Sequence, residues 1–318
     1  MNRKRTMAGI LIALGVMVLM LNWQKLVFST VCFARELYSK DFYEKNFEIE
    51  NGKIYRKDPS SDKRYLVKRT FYEDFENATS LGDLIGIERG WTNFTLQSPK
   101  APTIADYNKL RKQILDHNKD FLDNRLELSS QQAHLGKQSL KAVAVAPSTG
   151  MVCTKSSLHT SLLHFVKGDD VWFSAWYYFE KAGEFNTLMD LETTFVRNHP
   201  GMRIRLSNGY LDFEFAKWFP KSIYRQPKGK KVSFPIGRWV HVKAHLFLSD
   251  KKDGVIQLWQ DDTLIIDERG QTLPFAKAVY DDLEIGISAH SVGPDSAILY
   301  VDDLMISAEQ PFDSIKKN

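Results

Sequence analysis

From Trp239 to Leu248 apolar and polar positions alternate strictly. Trp239, His241, Lys243, His245 and Phe247 fall on one side of an extended chain, and Val240, Val242, Ala244, Leu246 and Leu248 on the other, as a period of two requires. A polar Asp253-Gly254 turn follows, after which Val255 to Gln260 presents Gln257 and Trp259 in the same manner. The pattern predicts a hairpin with one core face and one face of aromatic, imidazole and ammonium groups. Such a face suits sugar, since pyranose rings stack on indoles and their hydroxyls need polar partners. The plainer reading is a solvated sheet surface.

The same periodicity predicts short aromatic strands at Ser139–Val145, Val171–Glu180, Thr187–Phe195, Met202–Ser207, Tyr210–Phe215, Leu264–Asp267, Leu283–Ala289 and Ile298–Ser307. Turns such as Ser207-Asn208-Gly209 separate many of them. Ile104 to Arg125 alone carries a helical stripe, through Ile104, Tyr107, Leu110, Ile114, Leu115, Phe121 and Leu122. Ten strands and one inserted helix argue for an all-β fold, a two-sheet antiparallel jelly-roll sandwich. Its expected span is 70–309, opening at Thr70 to Glu76, with a tail over 310–318. Residues 35–69 read as a stalk with a hairpin turn at Glu50 to Lys53 and a loop at Asp58 to Lys63.

Residues 1–34 read differently. Arg3, Lys4 and Arg5 precede an apolar run from Met7 to Leu21, the pattern of an N-terminal membrane helix acting as a signal anchor, or of a signal peptide cleaved after Ala34. Basic residues ahead of the run keep the N-terminus inside and place the remainder outside the cytoplasm, membrane-anchored or, after cleavage, secreted. With 318 residues, 43% of them hydrophobic, the chain can bury a full-sized core. Two cysteines, Cys32 and Cys153, make neither a disulfide framework nor a zinc site, and Cys153 reads as a buried free thiol. A net charge of +4 does not imply nucleic acid. Basic residues gather at Lys217, Lys221, Arg225 and Lys228 to Lys231, where a groove rim would attract a polyanion and a plain loop would be solvated.

Candidate chemistry is sparse. His241 and His245 share a strand face but stand roughly 13 Å apart by strand rise, too far to ligate one metal. Asp74 and Glu76 near the start of the domain and Asp302 and Asp303 near its end are the oxygen ligands that a structural calcium ion tying the first and last strands together would use. Asp190 and Glu192 either line a groove or pair with Arg203 or Arg205 across the sheet.

The series EDFE (Glu73 to Glu76), DDVWFSAWYYF (Asp169 to Phe179), MDLE (Met189 to Glu192), GRWVHVKAHLFLSDKKDGVIQLWQD (Gly237 to Asp261), LEIGISAHS (Leu283 to Ser291) and YVDD (Tyr300 to Asp303) resembles the concanavalin A-like polysaccharide lyases of the heparin lyase I type. The resemblance implies a jelly roll whose concave sheet holds an acidic polysaccharide. Elimination by such enzymes needs a group neutralising the uronate, a base, and a Tyr or His that protonates the leaving oxygen. The chain departs from that pattern: Gly286-Ile287-Ser288 places Ser where a Tyr is expected, and Lys155 stands nearest to an expected Arg, without its bidentate fork. Laminarinase-like glycosidases share the sandwich, but Leu188-Met189-Asp190-Leu191-Glu192 has Leu in place of their first carboxylate, which excludes a glycosyl-enzyme intermediate there.

The expectation is therefore a membrane-anchored, extracytoplasmic protein that binds an acidic or neutral polysaccharide through Arg203, Arg205, Lys243, Trp259, His290, Asp190 and Glu192, together with His241 and His245. The alternative is a working lyase with His241 or His245 as base, Tyr210 or Tyr178 as acid and Arg203 or Arg205 neutralising the uronate. A third reading is a structural envelope or adhesion domain that binds protein.

Overall fold

The computed structural model describes residues 43–309, apart from 59–61, 87, 104, 107, 110–111, 113–124, 197 and 219–220. The anchor expected over 1–34 and most of the helix expected over 104–125 lie outside these residues. Of that helix, residues 105, 106, 108, 109 and 112 are helical and exposed. Among the described residues no helix is long and apolar enough to cross a membrane.

In chain order the strands are β1 (Phe47–Glu50), β2 (Lys53–Lys57), β3 (Arg64–Leu66), β4 (Thr70–Glu73), β5 (Asn93–Gln97), β6 (Arg125–Ser129), β7 (Ser139–Ala144), β8 (Thr154–Thr160), β9 (Asp170–Lys181) and β10 (Phe185–Glu192). They continue with β11 (Gly201–Ser207), β12 (Tyr210–Ala216), β13 (Ser222–Arg225), β14 (Trp239–Phe247), β15 (Gly254–Gln260), β16 (Thr263–Gly270), β17 (Asp282–Val292) and β18 (Ala297–Ser307). All ten predicted strands are present. One sheet has the order β13-β12-β11-β10-β17-β8-β5, and the other β16-β15-β14-β9-β18-β7-β6 with β4 paired to β18. The ladders within both sheets are antiparallel.

Alternation decides what lies between the sheets. Val240, Val242, Ala244 and Leu246 of β14 and Phe173, Ala175, Tyr177 and Phe179 of β9 are buried against Met202, Ile204 and Leu206 of β11, Phe213 of β12 and Leu283, Ile285 and Ile287 of β17. The intervening side chains of each strand point away from this core, so each sheet has its own outward face.

The segment expected to be a stalk folds, from residue 43, as a β1-β2-β3 sheet seated on the sandwich. Its register places the Asn51-Gly52 turn between β1 and β2, where both residues have positive φ, 51° and 75°, as a tight hairpin turn requires. Phe47 is buried, stacked on Tyr43 at 5.1 Å and leaning on Phe195 at 5.9 Å. Arg56 pairs with the buried Asp281 at 2.7 Å, whose carboxylate also accepts from the Thr194 amide and hydroxyl. Phe47→Ala should therefore destabilise the whole domain by about 3–5 kcal/mol in urea unfolding, whereas a detached hairpin would leave the transition unmoved.

His164 lies under the same sheet, with its Nε2 3.1 Å from the Tyr43 hydroxyl. Burial, helped by the Arg69 charge, pushes its pKa down to about 4. The folded ring is neutral where the unfolded ring, near 6.5, takes up a proton. Stability is therefore lost as pH falls from about 6.5 towards 4, by at most about 3 kcal/mol. Urea unfolding between pH 7 and pH 4 should show this slope, reduced in His164→Gln.

Candidate functional site

The outward face of the seven-stranded sheet is built from ionised side chains. Glu214 of β12, Arg203 of β11, Asp190 of β10, Glu284 of β17, His159 of β8 and Asn93 of β5 are successive register partners, forming one row across six strands. Each charged member of the row sits between buried residues of its own strand, so the pleat turns it outward. Arg203 donates from Nε to Asp190 at 2.6 Å and lies 3.5 Å from Glu192 and 3.9 Å from Glu214. Arg205 forks Asp212 at 2.7 and 3.0 Å and reaches Glu214 at 2.7 Å. Lys217 meets Glu192 and Lys221 meets Glu214, both at 2.5 Å.

On the other side of the row, Ser157 donates to Glu284 at 2.5 Å, and Lys155 stands 3.7 Å from the same carboxylate. His159 is held by three partners: Nδ1 lies 3.4 Å from Asp282, and Nε2 lies 3.3 Å from Glu284 and 2.8 Å from the Thr95 hydroxyl. β17 can lie this close to β8 because Gly286 has no side chain. Its φ is +115°, and a Cβ there would meet the Ser156 carbonyl at 2.8 Å.

The charges are layered. The side chains of Glu284, Asp190, Glu214 and Glu192 are 3%, 4%, 4% and 6% exposed. Those of Arg203, His159, Lys155, Lys217 and Lys221 are 15%, 17%, 26%, 34% and 60% exposed. Carboxylates make the floor, and a ligand meets cations. Burial works to raise Glu284, but Lys155 and His159 hold it well below the usual carboxylate range. Burial likewise opposes the charge on His159, yet Glu284 and Asp282 raise its pKa well above the ordinary imidazole value. Glu192 goes the other way: burial and the Asp190 charge push it up to about 8 against the pull of Lys217.

The outward face of the eight-stranded sheet carries the hairpin residues. Lys243 is opposite Trp259, His241 opposite Trp176 and His245 opposite Trp172, so Trp259, His241, Lys243 and His245 share one surface. Trp176 is sandwiched between His134 at 3.7 Å and His241 at 4.6 Å, with ring planes 14° and 4° apart. Trp172 is covered by His245 at 4.0 Å. Trp176 thus spends both faces on imidazoles and Trp172 one, while Trp259 lies 6.5 Å from Trp172. His241 is bonded to Ser174 at 2.6 Å, and His245 to Asp170 at 2.6 Å and Gln257 at 3.0 Å.

The expected site is thus split between the two outward faces. Arg203, Arg205, Asp190 and Glu192 come together on the seven-stranded sheet, with Tyr210 at its margin under the Lys231 ammonium. Lys243, Trp259, His241, His245 and Tyr178 lie beyond the core on the other sheet. A base at His241 or His245 and a neutralising Arg203 or Arg205 cannot reach one uronate, because the packed interior separates them. His290 joins neither surface, being fully buried between Asn186 Oδ1 at 3.0 Å and the Asp295 carbonyl at 2.8 Å. The sequence reading did not single out His159, Asp282, Glu284 or Glu214. Glu284 had a signal, standing between Leu283 and Ile285 in a predicted strand, whereas His159 lay in a segment not read as one.

The expected calcium ligands are engaged by protein donors. Asp302 accepts from the His134 and Asp303 amides, Asp303 pairs with the His134 ring at 2.6 Å, Asp74 accepts from the Glu76 amide, and Glu76 accepts from the Lys137 and Gln138 amides. Among the described residues no three His, Cys, Asp or Glu side chains are grouped to hold a metal ion.

A sequence model described as polysaccharide lyase matches residues 86–304, which spans both sheets. The chain therefore belongs to the polysaccharide lyase family. No curated protein matches it in sequence. Among solved structures, an endo-β-1,4-glucuronan lyase from the fungus Trichoderma reesei is similar with a TM-score of 0.53 and 12% identity, over 76% of this chain and 96% of that one. A cellulose induced protein, Cip1, is similar with a TM-score of 0.50 and 18% identity, over 76% and 98% respectively. At these identities the likeness is one of fold.

Arg203→Met would leave Asp190 and Glu192 buried without their shared guanidinium, and should destabilise by about 3–5 kcal/mol. Lys221→Met removes a mostly exposed partner and should cost under about 1 kcal/mol. Urea unfolding of the two variants distinguishes a compensated floor from ordinary surface pairs, for which both losses would be small.

Proposed function

We propose that this family member is a membrane-anchored, extracytoplasmic protein that holds an acidic polysaccharide across the outward face of its seven-stranded sheet and does not cleave it. The layering of cations over a carboxylate floor carries this reading: Lys155, Arg203, Lys217 and Lys221 present positive charge on one face above the buried acids, and Lys228 to Lys231 extend it at the margin. A chain bearing carboxylates or sulfates complements such a surface.

The elimination set is incomplete on that face. A base must be able to take a proton, and His159 has both ring nitrogens engaged and is held in its charged form. The position of the expected phenol is Ser288, buried and donating to Asp190 at 2.7 Å. An aliphatic hydroxyl there is a poor proton donor to a leaving oxygen. A working lyase is supported by one observation, Glu192, whose carboxyl, raised to about 8, holds a proton near neutral pH.

Incubating the full chain with uronate-containing and neutral polysaccharides, while following binding and the ultraviolet absorbance of unsaturated product, tests both readings. The expected result is salt-sensitive binding of the acidic glycans without product. Product formation overturns the non-cleaving reading. Loss of binding in Trp259→Ala but not in Lys155→Ala moves the site to the opposite sheet.

A further inference from the structure

We propose that Glu284 is a positioning residue: its carboxylate fixes the Lys155 ammonium beside the His159 imidazolium of β8, so that Lys155 meets one anionic group of the glycan with the His159 charge behind it. This rests on the acidic-glycan reading of the same face and assigns the part of it that selects charge. Glu284 is 2% exposed and too deep to meet a sugar itself. Its burial is tolerated because it is paired and hydrogen-bonded. Ser157 orients one oxygen at 2.5 Å, which is also 3.3 Å from His159 and 3.7 Å from Lys155.

His159 is surrounded by Asp282 and Glu284 on β17, by Lys155 on its own strand, and by the uncharged Thr95 and Asn93 on β5. Asp190, the next acid across the row, is taken by Arg203 and Ser288. Glu284 is therefore the acid shared by both cations. The alternative is that Glu284 is only one more negative charge near a polyanion. The two roles predict opposite signs for the same substitution. Glu284→Gln keeps the shape and removes a negative charge, so long-range electrostatics alone tightens polyanion binding. Loss of positioning weakens it, because Lys155 and His159 are released from a common geometry.

The test measures affinity for alginate, with dextran as the uncharged control, in the full chain and in Glu284→Gln, Glu284→Asp, Lys155→Met and the double variant Lys155→Met/Glu284→Gln. Melting is followed throughout. Positioning predicts a loss of at least about tenfold in Glu284→Gln, the scale of one charge-assisted contact. Glu284→Asp should lose less. In the Lys155→Met background the further loss should be small, since both changes remove the same subsite. The His159 ring, followed by NMR, should stay protonated past neutral pH in the native protein and titrate at lower pH in Glu284→Gln. Equal or tighter alginate binding by folded Glu284→Gln overturns the proposal and leaves the acidic-glycan reading standing. Should the native chain fail to bind alginate, that reading falls, and an unchanged His159 titration in Glu284→Gln overturns the positioning role as well. If Glu284→Gln does not fold, Glu284→Asp decides: affinity equal to the native chain overturns positioning.

Discussion

Carboxylates buried on the outer face of a sheet must be neutralised where they stand, and much of this structure follows from that requirement. Asp190, Glu192, Asp212, Glu214, Asp282 and Glu284 are all nearly inaccessible, yet they face away from the apolar core. An ionised carboxyl in such a place is strongly unfavourable unless cations and hydrogen-bond donors surround it. The partners come from every direction: Arg203 and Arg205 along β11, Lys217 and Lys221 from beyond β12, and Lys155, Ser157 and His159 from β8. This demand also fixes register. A one-residue slip of β11 would put Met202 and Ile204 over the acids and Arg203 into the core.

The two sheets answer the same problem by different means. Both must give their outward side chains stable neighbours. The seven-stranded sheet does so with charge, whose strength depends on exclusion of water. The eight-stranded sheet does so with rings: His134 on Trp176, Trp176 on His241 and Trp172 on His245. Cross-strand stacks of this kind stiffen a sheet, and they occupy both faces of Trp176 and one face of Trp172. A ligand approaching the first sheet meets exchangeable ionic partners, and one approaching the second meets His134, Trp176, His241, Trp172 and His245 already stacked on one another, beside Lys243 and Trp259.

Alternation along a strand tells which residues share a face, and it made the β14–β15 hairpin, the common face of His241, Lys243, His245 and Trp259 and the outward turn of Arg203 and Asp190 legible in the chain alone. It does not tell which sheet a strand joins. Trp239-x-His241-x-Lys243 and Arg203-x-Arg205 are equally amphipathic, and only the pairing of β14 with β9 and of β11 with β10 separates them onto opposite sides of the core. The polar strand β8, Thr-Lys-Ser-Ser-Leu-His-Thr, was illegible for another reason. Its inward positions include Ser156 and Thr160, fully buried without being apolar, so no hydrophobic period marks it. His159 and Ser157 were lost with it. The β1-β2-β3 sheet left its turn in the sequence but not its docking, which depends on Phe47 and Arg56 reaching Phe195 and Asp281, far along the chain.

Compensation this thorough bears on chemistry as well as on stability. A base in an elimination must spend part of the cycle unprotonated, and a proton donor must be able to part with its proton without stranding a charge. On β8 and β17 the same contacts that make the acids tolerable bind each proton tightly: Glu284 and Asp282 keep His159 charged, and Ser288 is committed to Asp190. Freeing His159 to act as a base would leave Glu284 with less positive charge around it, so reactivity at one residue would destabilise its neighbour. A face organised in this way can trade its outermost cations between carboxylate floor and glycan anion at little cost, because both partners have the same sign and similar geometry. Around β8 and β17 it is better arranged to exchange ion pairs than to move protons, and Glu192, whose carboxyl is raised to about 8, is the group on this face through which the proposed holding of an acidic polysaccharide and the cutting of one would differ.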